Sequence, residues 1–163
     1  MQLKSWKVKM QTFLPYPNFR QSLECLDNKR LGKQRVECMQ LINAIEKHTL
    51  LPSAKTAWFY HPACQQWLGH LETLKIYHDM SIREWVGRGF KNTMHYYHSY
   101  DFLSDLYNGY VHVECPEWFG DPAFHASHRS NLLRKDPVHY GQFGWTEPHD
   151  LPYIWPSKLK GAA

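Results

Sequence analysis

The stretch Asp27–Lys47, DNKRLGKQRVECMQLINAIEK, decides how the chain is read. Asp27 is a helix N-cap residue, and Leu31, Cys38, Ile42 and Ile45 recur at helical spacing, with Leu41 at the edge of the same stripe. This predicts an amphipathic helix from about residue 28 to Lys47. Gly32 costs it roughly 1 kcal/mol against Ala, so it marks a place where something comes close. Its first half is crowded with Lys29, Arg30, Lys33 and Arg35, followed by a lone carboxylate, Glu37. Arg30, Lys33, Gln34 and Glu37 follow i, i+3, i+4, i+7 and share a face, while Arg35 lies round the cylinder towards the apolar side. Two readings stand: a solvated face with Lys33 and Glu37 as an i, i+4 pair, or a carboxylate at work in a phosphate-binding field.

Working outward, "FRQSLECL" forms a short helix capped by Asn18, and the two prolines of "QTFLPYPNF" make the preceding segment extended. Pro62 suits the first turn of a long helix running through "ACQQWLGHLETLKIYHDMSIREWVGRG" and ending at Gly87 or Gly89, with Trp67, Leu71, Leu74, Met80, Ile82 and Trp85 or Val86 inside. "NTMHYYHSYDFLSDLYNG" has a helical period with Leu103 and Leu106 inside, and "YVHVECPEWFG" alternates briefly before Pro116. Asp121-Pro122 opens a helix through "AFHASHRSNLLRK", and "DPVHY" adds a short turn. The fold class expected is mainly α: a compact single-domain helical bundle over residues 1–163, with a basic N-terminal extension (1–9) and an extended, proline-rich tail (145–163).

The chain has 163 residues, 43% of them hydrophobic, enough to bury a core. Its net charge of +4 favours an anionic partner, and its eleven histidines add charge below neutrality. The four cysteines have no C-x-x-C spacing and are read as reduced thiols. No apolar run reaches membrane-span length. The expectation is a cytoplasmic monomer without a membrane partner. No Walker A, Rossmann or G-x-S-x-G motif is present, which argues against ATPases, dehydrogenases and common hydrolases.

A second cluster lies in "HASHRSNLLRK". His125, His128 and Arg129 fall within one turn, and Asn131, Arg134 and Lys135 add donors suited to a phosphate or polyanion. The alternative is a basic surface helix anchored by Leu132 and Leu133. His95 and His98 stand three apart, a spacing that recurs easily among eleven histidines, so no metal and no other cofactor is assigned. Tyr96, Tyr97 and Tyr100 either stack on bases or pack on the next helix.

"LDNKRLGKQRVE", followed by the run in which Leu71, Glu72, Leu74, Ile82, Glu84, Arg88, Gly89 and Phe90 stand, resembles the pyrimidine-dimer DNA glycosylase family of the phage endonuclease V type. The likeness covers about Phe19 to Phe90, and "SHRSNLLRKDP" is shared with a wider set of uncharacterised relatives. The resemblance implies a compact helical glycosylase and AP lyase acting on ultraviolet-damaged double-stranded DNA. An amine attacks C1′ and a glutamate assists. It carries Glu37 over as the catalytic carboxylate and Arg35 as phosphate-positioning, with Arg30, Lys33 and Gln34 as helpers on the DNA. Val36 separates Arg35 from Glu37, whereas the family's pair is adjacent. The family's amine is the α-amine left after Met removal. Here Gln2 follows Met1, and "MQTFLPY" begins again at Met10, so Met1, Met10 or a lysine supplies it, or there is no lyase step. A non-catalytic nucleic-acid-binding protein, with Arg30, Lys33, Arg129, Arg134 and Lys135 on phosphates, and a small enzyme holding a nucleotide phosphate at His125–Arg129, are the competing readings.

Overall fold

The computed structural model describes residues 10–54 and 58–156. Among these are α1 (Phe19–Glu24), α2 (Asn28–Leu50), α3 (Pro62–Gln65), α4 (Leu71–Gly87), α5 (Tyr100–Tyr107), α6 (Pro122–Lys135) and α7 (Pro137–Gly141), and no strand. The protein is mainly α, as the apolar spacing predicts. The basic N-terminal extension lies outside the described residues, as does the tail beyond residue 156.

α2 begins where its cap requires: the Asp27 carboxylate accepts the Arg30 N–H. It runs three residues past Lys47 to Leu50. Leu31, Cys38, Leu41 and Ile42 are fully buried, and the stripe packs along α4, the most extensive helix pair of the fold. Gly32 lies under the ring of Trp85, where a Cβ would come within 2.9 Å of the indole. Trp85 is held from its other sides by Phe90, stacked at 4.1 Å, and by Arg35, whose guanidinium sits 4.1 Å over the ring.

The single long helix expected from Pro62 is two. Trp67 is driven wholly into the core, and Gly69, at φ +82°, makes the left-handed turn that separates α3 from α4. The helix expected from residue 92 starts only at Tyr100, capped by Ser99. The residues before it are captured by Asp79 of α4, which is fully buried and accepts the N–H groups of Tyr97 and His98. His78 and His98 also point Nδ1 at this carboxylate, at 3.0 and 2.8 Å. Burial alone would raise the Asp79 pKa, but these hydrogen bonds hold it below the ordinary carboxylate value. "YVHVE" is an irregular strand-like run without a pairing partner, tied down by the Thr73 hydroxyl on the Glu114 carbonyl. α1, α6 and α7 stand as their caps predict.

The least regular element organises the rest. Residues 10–14 run extended through the interior between α2 and α6, so their backbone groups need side-chain partners. Gln34 receives the Phe13 N–H at 2.8 Å and donates to the Gln11 carbonyl at 2.6 Å. Tyr77 donates to the Phe13 carbonyl at 2.8 Å. His128 accepts the Leu14 N–H at 2.9 Å and His125 binds the Leu14 carbonyl at 2.7 Å. The Thr12 hydroxyl accepts from Gln66 and Trp67, both at 3.0 Å.

Candidate active site

α2 turns the face carrying Lys29, Arg30, Lys33 and Glu37 towards Phe13 and, across a cleft of about 330 Å³, Lys135 at the end of α6. This cleft shares Phe13 and Lys135 with a larger one of about 730 Å³, bordered by Met10, Gln11, His61, Arg134, Tyr153 and Trp155 among others. Glu37 is only 9% exposed and lines the smaller cleft. One carboxylate oxygen faces the Gln11 N–H at 3.5 Å, and the other faces Lys33 Nζ at 3.6 Å. Burial pushes the Glu37 pKa up, against the opposing pull of Lys33, the Gln11 N–H and Lys135. The result is a carboxyl held nearer neutrality than an ordinary glutamate, among cations that favour an anionic ligand.

Arg30 is held in place. Asp27 takes its guanidinium at 2.8 Å and also accepts the Tyr140 hydroxyl at 2.6 Å. Lys33 is two-thirds exposed, so its ammonium is open to a ligand. Of the residues singled out in the sequence, Glu37, Arg30, Lys33, Asn131, Arg134 and Lys135 are therefore brought to one connected cleft.

The others are placed differently. Arg35 points to the far side of α2, over Trp85 and within 3.4 Å of Asn92 Oδ1, because two residues on a helix turn it away from Glu37. Gln34 is 1% exposed and spent on residues 11–13. His125 and His128 are buried, and desolvation lowers both pKa values, that of His128 to about 3. Neutral rings bonded to Leu14 are structural posts rather than phosphate ligands. Arg129 binds Glu147 at 2.6 Å and the Pro15 carbonyl at 2.7 Å, and Asn131, although it borders the larger cleft, spends its amide nitrogen on the Ser127 and Leu151 carbonyls. The α6 motif is thus an anchor. It fastens residues 14–15 on one side and residues 147–154 on the other, through Ser127 and Ser130 as well.

Sequence reasoning missed Gln11, Phe13, Tyr153 and Trp155 as lining residues. For the last two, the paired aromatics of "PYIWP" in a proline-rich tail were the available signal.

A family model described as pyrimidine dimer DNA glycosylase matches residues 10–98, just over half of the chain. The match starts at Met10 and contains α1 to α4, Glu37 and the Asp79-bound loop. No curated protein and no solved structure matches.

Proposed function

The chain belongs to the pyrimidine dimer DNA glycosylase family, and we propose that it releases a damaged pyrimidine from double-stranded DNA, with Glu37 as the working carboxylate. The observation that carries this reading is the placement of Glu37: a nearly buried carboxyl, its pKa raised, in a cleft edged by Lys29, Arg30, Lys33 and Lys135. Breaking a glycosidic bond builds positive charge on the sugar at C1′, and a carboxylate excluded from water stabilises that charge strongly. Lys29, Arg30 and Lys135 hold the flanking phosphates.

A lyase step is part of the same proposal. An unprotonated amine gives its lone pair to C1′, the C1′–N bond breaks, and the base leaves with its electron pair and takes up a proton. The ring C1′–O4′ bond then opens, O4′ taking a proton from solvent water, to a protonated imine whose C2′ proton passes to Glu37. Elimination expels the 3′ phosphate. Two nitrogens flank the carboxylate. The Gln11 nitrogen is an amide in this chain and is not nucleophilic. An α-amine freed at this position would occupy the same place. Lys33 Nζ is the side-chain amine beside Glu37, and we assign it the attack in the intact chain. Arg30 and Lys135 contact phosphate, and Arg35 supports the fold.

Borohydride added to the protein on an ultraviolet-irradiated duplex tests this. A trapped protein–DNA adduct whose peptide map places the link at Lys33, or at an α-amine near Gln11, supports it. Glu37→Gln keeps duplex affinity and loses base release by at least about 100-fold, the usual scale for a positioned acid–base group. Base release by Glu37→Gln at the parental rate removes the assignment.

A further inference from the structure

The extended segment meets its neighbours with the two-residue alternation of a pleated chain. The backbone groups of Gln11 and Phe13 face α2 and α4: the Gln11 N–H towards Glu37, the Gln11 carbonyl and the Phe13 N–H to Gln34, and the Phe13 carbonyl to Tyr77. Those of Leu14 face the other way, to His125 and His128 of α6.

Gln34 holds the middle of the edge that faces α2. Its Oε1 accepts the Phe13 N–H while its Nε2 donates to the Gln11 carbonyl, the pair of bonds a neighbouring strand would make. One partner is a donor and the other an acceptor, so the amide can stand only one way round. The Tyr77 hydroxyl donates to the Phe13 carbonyl and lies 3.1 Å from the same Oε1, which backs the amide from α4. Both side chains are buried and neither lines a cleft. Glu37 follows three residues later on the same helix, a rise of about 4.5 Å. The next nitrogen on this edge of the segment is two residues from that of Gln11, roughly 6.6 Å away. A two-pronged amide one turn from the carboxylate thus fixes which nitrogen the carboxylate meets.

Resting on the glycosylase reading, we propose that Gln34, backed by Tyr77, is a positioning residue for base release: it locks the register of residues 11–13 on α2, so that the Gln11 N–H meets Glu37 and sets the direction in which the carboxyl faces the sugar. The groups that act on Glu37 are Lys33 and Cys38 of its own helix, Tyr77 of α4, Lys135 of α6 and Tyr153 of the tail, with Lys29 and Arg30 on the same cleft. Burial raises the pKa of the Cys38 thiol and of both phenols, so all three are neutral at working pH. Removing the Tyr77 hydroxyl therefore leaves the charge around Glu37 unchanged. Burial raises the Glu37 pKa and the Gln11 N–H opposes it, so a loosened segment raises that pKa further.

Two variants test the lock. Gln34→Met keeps the length of the side chain and removes both prongs, and Tyr77→Phe removes only a hydroxyl. Each is measured for base release and affinity on a thymine-dimer duplex, and for the ionisation of Glu37 by NMR of isotope-labelled glutamate carboxyls, the Glu37 signal being the one absent from Glu37→Gln. Base release per folded molecule falls by about 10- to 100-fold in Gln34→Met, the scale of a small displacement of a reacting group, and by less in Tyr77→Phe. Affinity for the duplex stays within about 2-fold, because neither side chain reaches it. The Glu37 midpoint and the acid limb of base release move together to higher pH. A merely structural role lowers Tm and moves neither. Base release at the parental rate, or an unmoved Glu37 midpoint, in Tyr77→Phe overturns the lock and leaves the glycosylase reading intact, and this variant decides alone if Gln34→Met does not fold. Duplex affinity that falls in step with base release also overturns it. A parent protein that releases no damaged base removes the glycosylase reading, and the positioning role with it.

Discussion

Arg88 offers the sharpest test of how this scaffold holds its site. Its guanidinium reaches from the end of α4 into the corner between α1 and α2. There it donates to the carbonyls of Leu26 at 2.7 Å, Glu24 at 3.0 Å and Leu23 at 3.2 Å, and to Asn28 Oδ1 at 3.0 Å. The Glu24 carbonyl is among those the end of α1 leaves without a helical partner, the Leu23 carbonyl also takes the Leu26 N–H, and the Leu26 carbonyl belongs to the turn that follows. The Leu26 and Leu23 bonds are half-buried and the other two are exposed to water, which replaces them readily. Counting only the half-buried pair at about 1.5 kcal/mol each, the low end for a charged donor, gives about 3 kcal/mol. The Glu84 pair at 2.8 Å adds about 0.3–0.5 kcal/mol as an i, i+4 contact. Arg88→Ala is therefore expected to cost about 3 kcal/mol, lowering Tm by roughly 6–12 °C at about 2–4 °C per kcal/mol for a domain of this size. Arg88→Lys recovers less than half, because a single ammonium cannot span four acceptors in fixed directions. Scanning calorimetry reads both values. Base release per folded molecule stays parental below the transition, since Arg88 lies outside the cleft. A Tm fall under about 2 °C for Arg88→Ala would refute the reasoning.

Other consequences are open to direct measurement. Because folding raises the Glu37 pKa, its ionised form opposes folding. Glu37→Gln should be more stable than the parent at pH 7 by ~0.5–2 kcal/mol, and the gap should close as pH falls below the unperturbed 4.5; a urea titration showing the parent the more stable at pH 7 contradicts this. Base release should fall on the acid side at a pH above 4.5, where Glu37 takes up its proton. His128 runs the other way. Its pKa drops from 6.5 to about 3 on folding, so its contribution is complete above pH 6.5 and is lost as pH falls towards 3. The slope is about 1.4 kcal/mol per pH unit for one proton, and His128 ring signals that titrate near 6.5 in the folded state would contradict it. Finally, removing Lys29 and Lys135 together should flatten the salt dependence of duplex binding by about 1.8 in log–log slope, about 0.9 per phosphate contact; an unchanged slope places these lysines off the DNA.

The sequence was most readable where one physical effect acts alone. α2 followed from an apolar stripe and a cap, and Asp121-Pro122 announced α6 in the same way. Glu37 was legible because a single carboxylate in a basic run is unusual, and the resemblance reached the family that the match to residues 10–98 then supports. What misled was polarity read as exposure. Gln34, His125 and His128 are polar because an extended segment crosses the interior and its backbone needs partners there, and Asn131 because it ties the tail at Leu151 to α6. Periodicity on α6 cannot reveal an extended segment lying across it. The break at Gly69 was hidden because Trp67, Leu71 and Leu74 keep a helical rhythm on both sides of it. Tyr153 and Trp155 were invisible as site residues because their place depends on which helix the tail is laced to.

The crossing of Leu14 under α6 also sets the order in which the molecule can be made. Leu14 bonds to His128 across 114 residues, and Tyr140 bonds to Asp27 across 113. Contacts of such sequence separation carry a large loop-closure cost and form late, so the chain's two ends must meet before the cleft has both its walls. A protein interrupted after residue 98 would retain Glu37 and the whole of the matched region and still lack the histidine posts, Lys135 and the tail aromatics Tyr153 and Trp155. Chemistry at Glu37 is thereby coupled to completion of the chain: a nascent or truncated molecule exposes its carboxylate without a cavity to use it in.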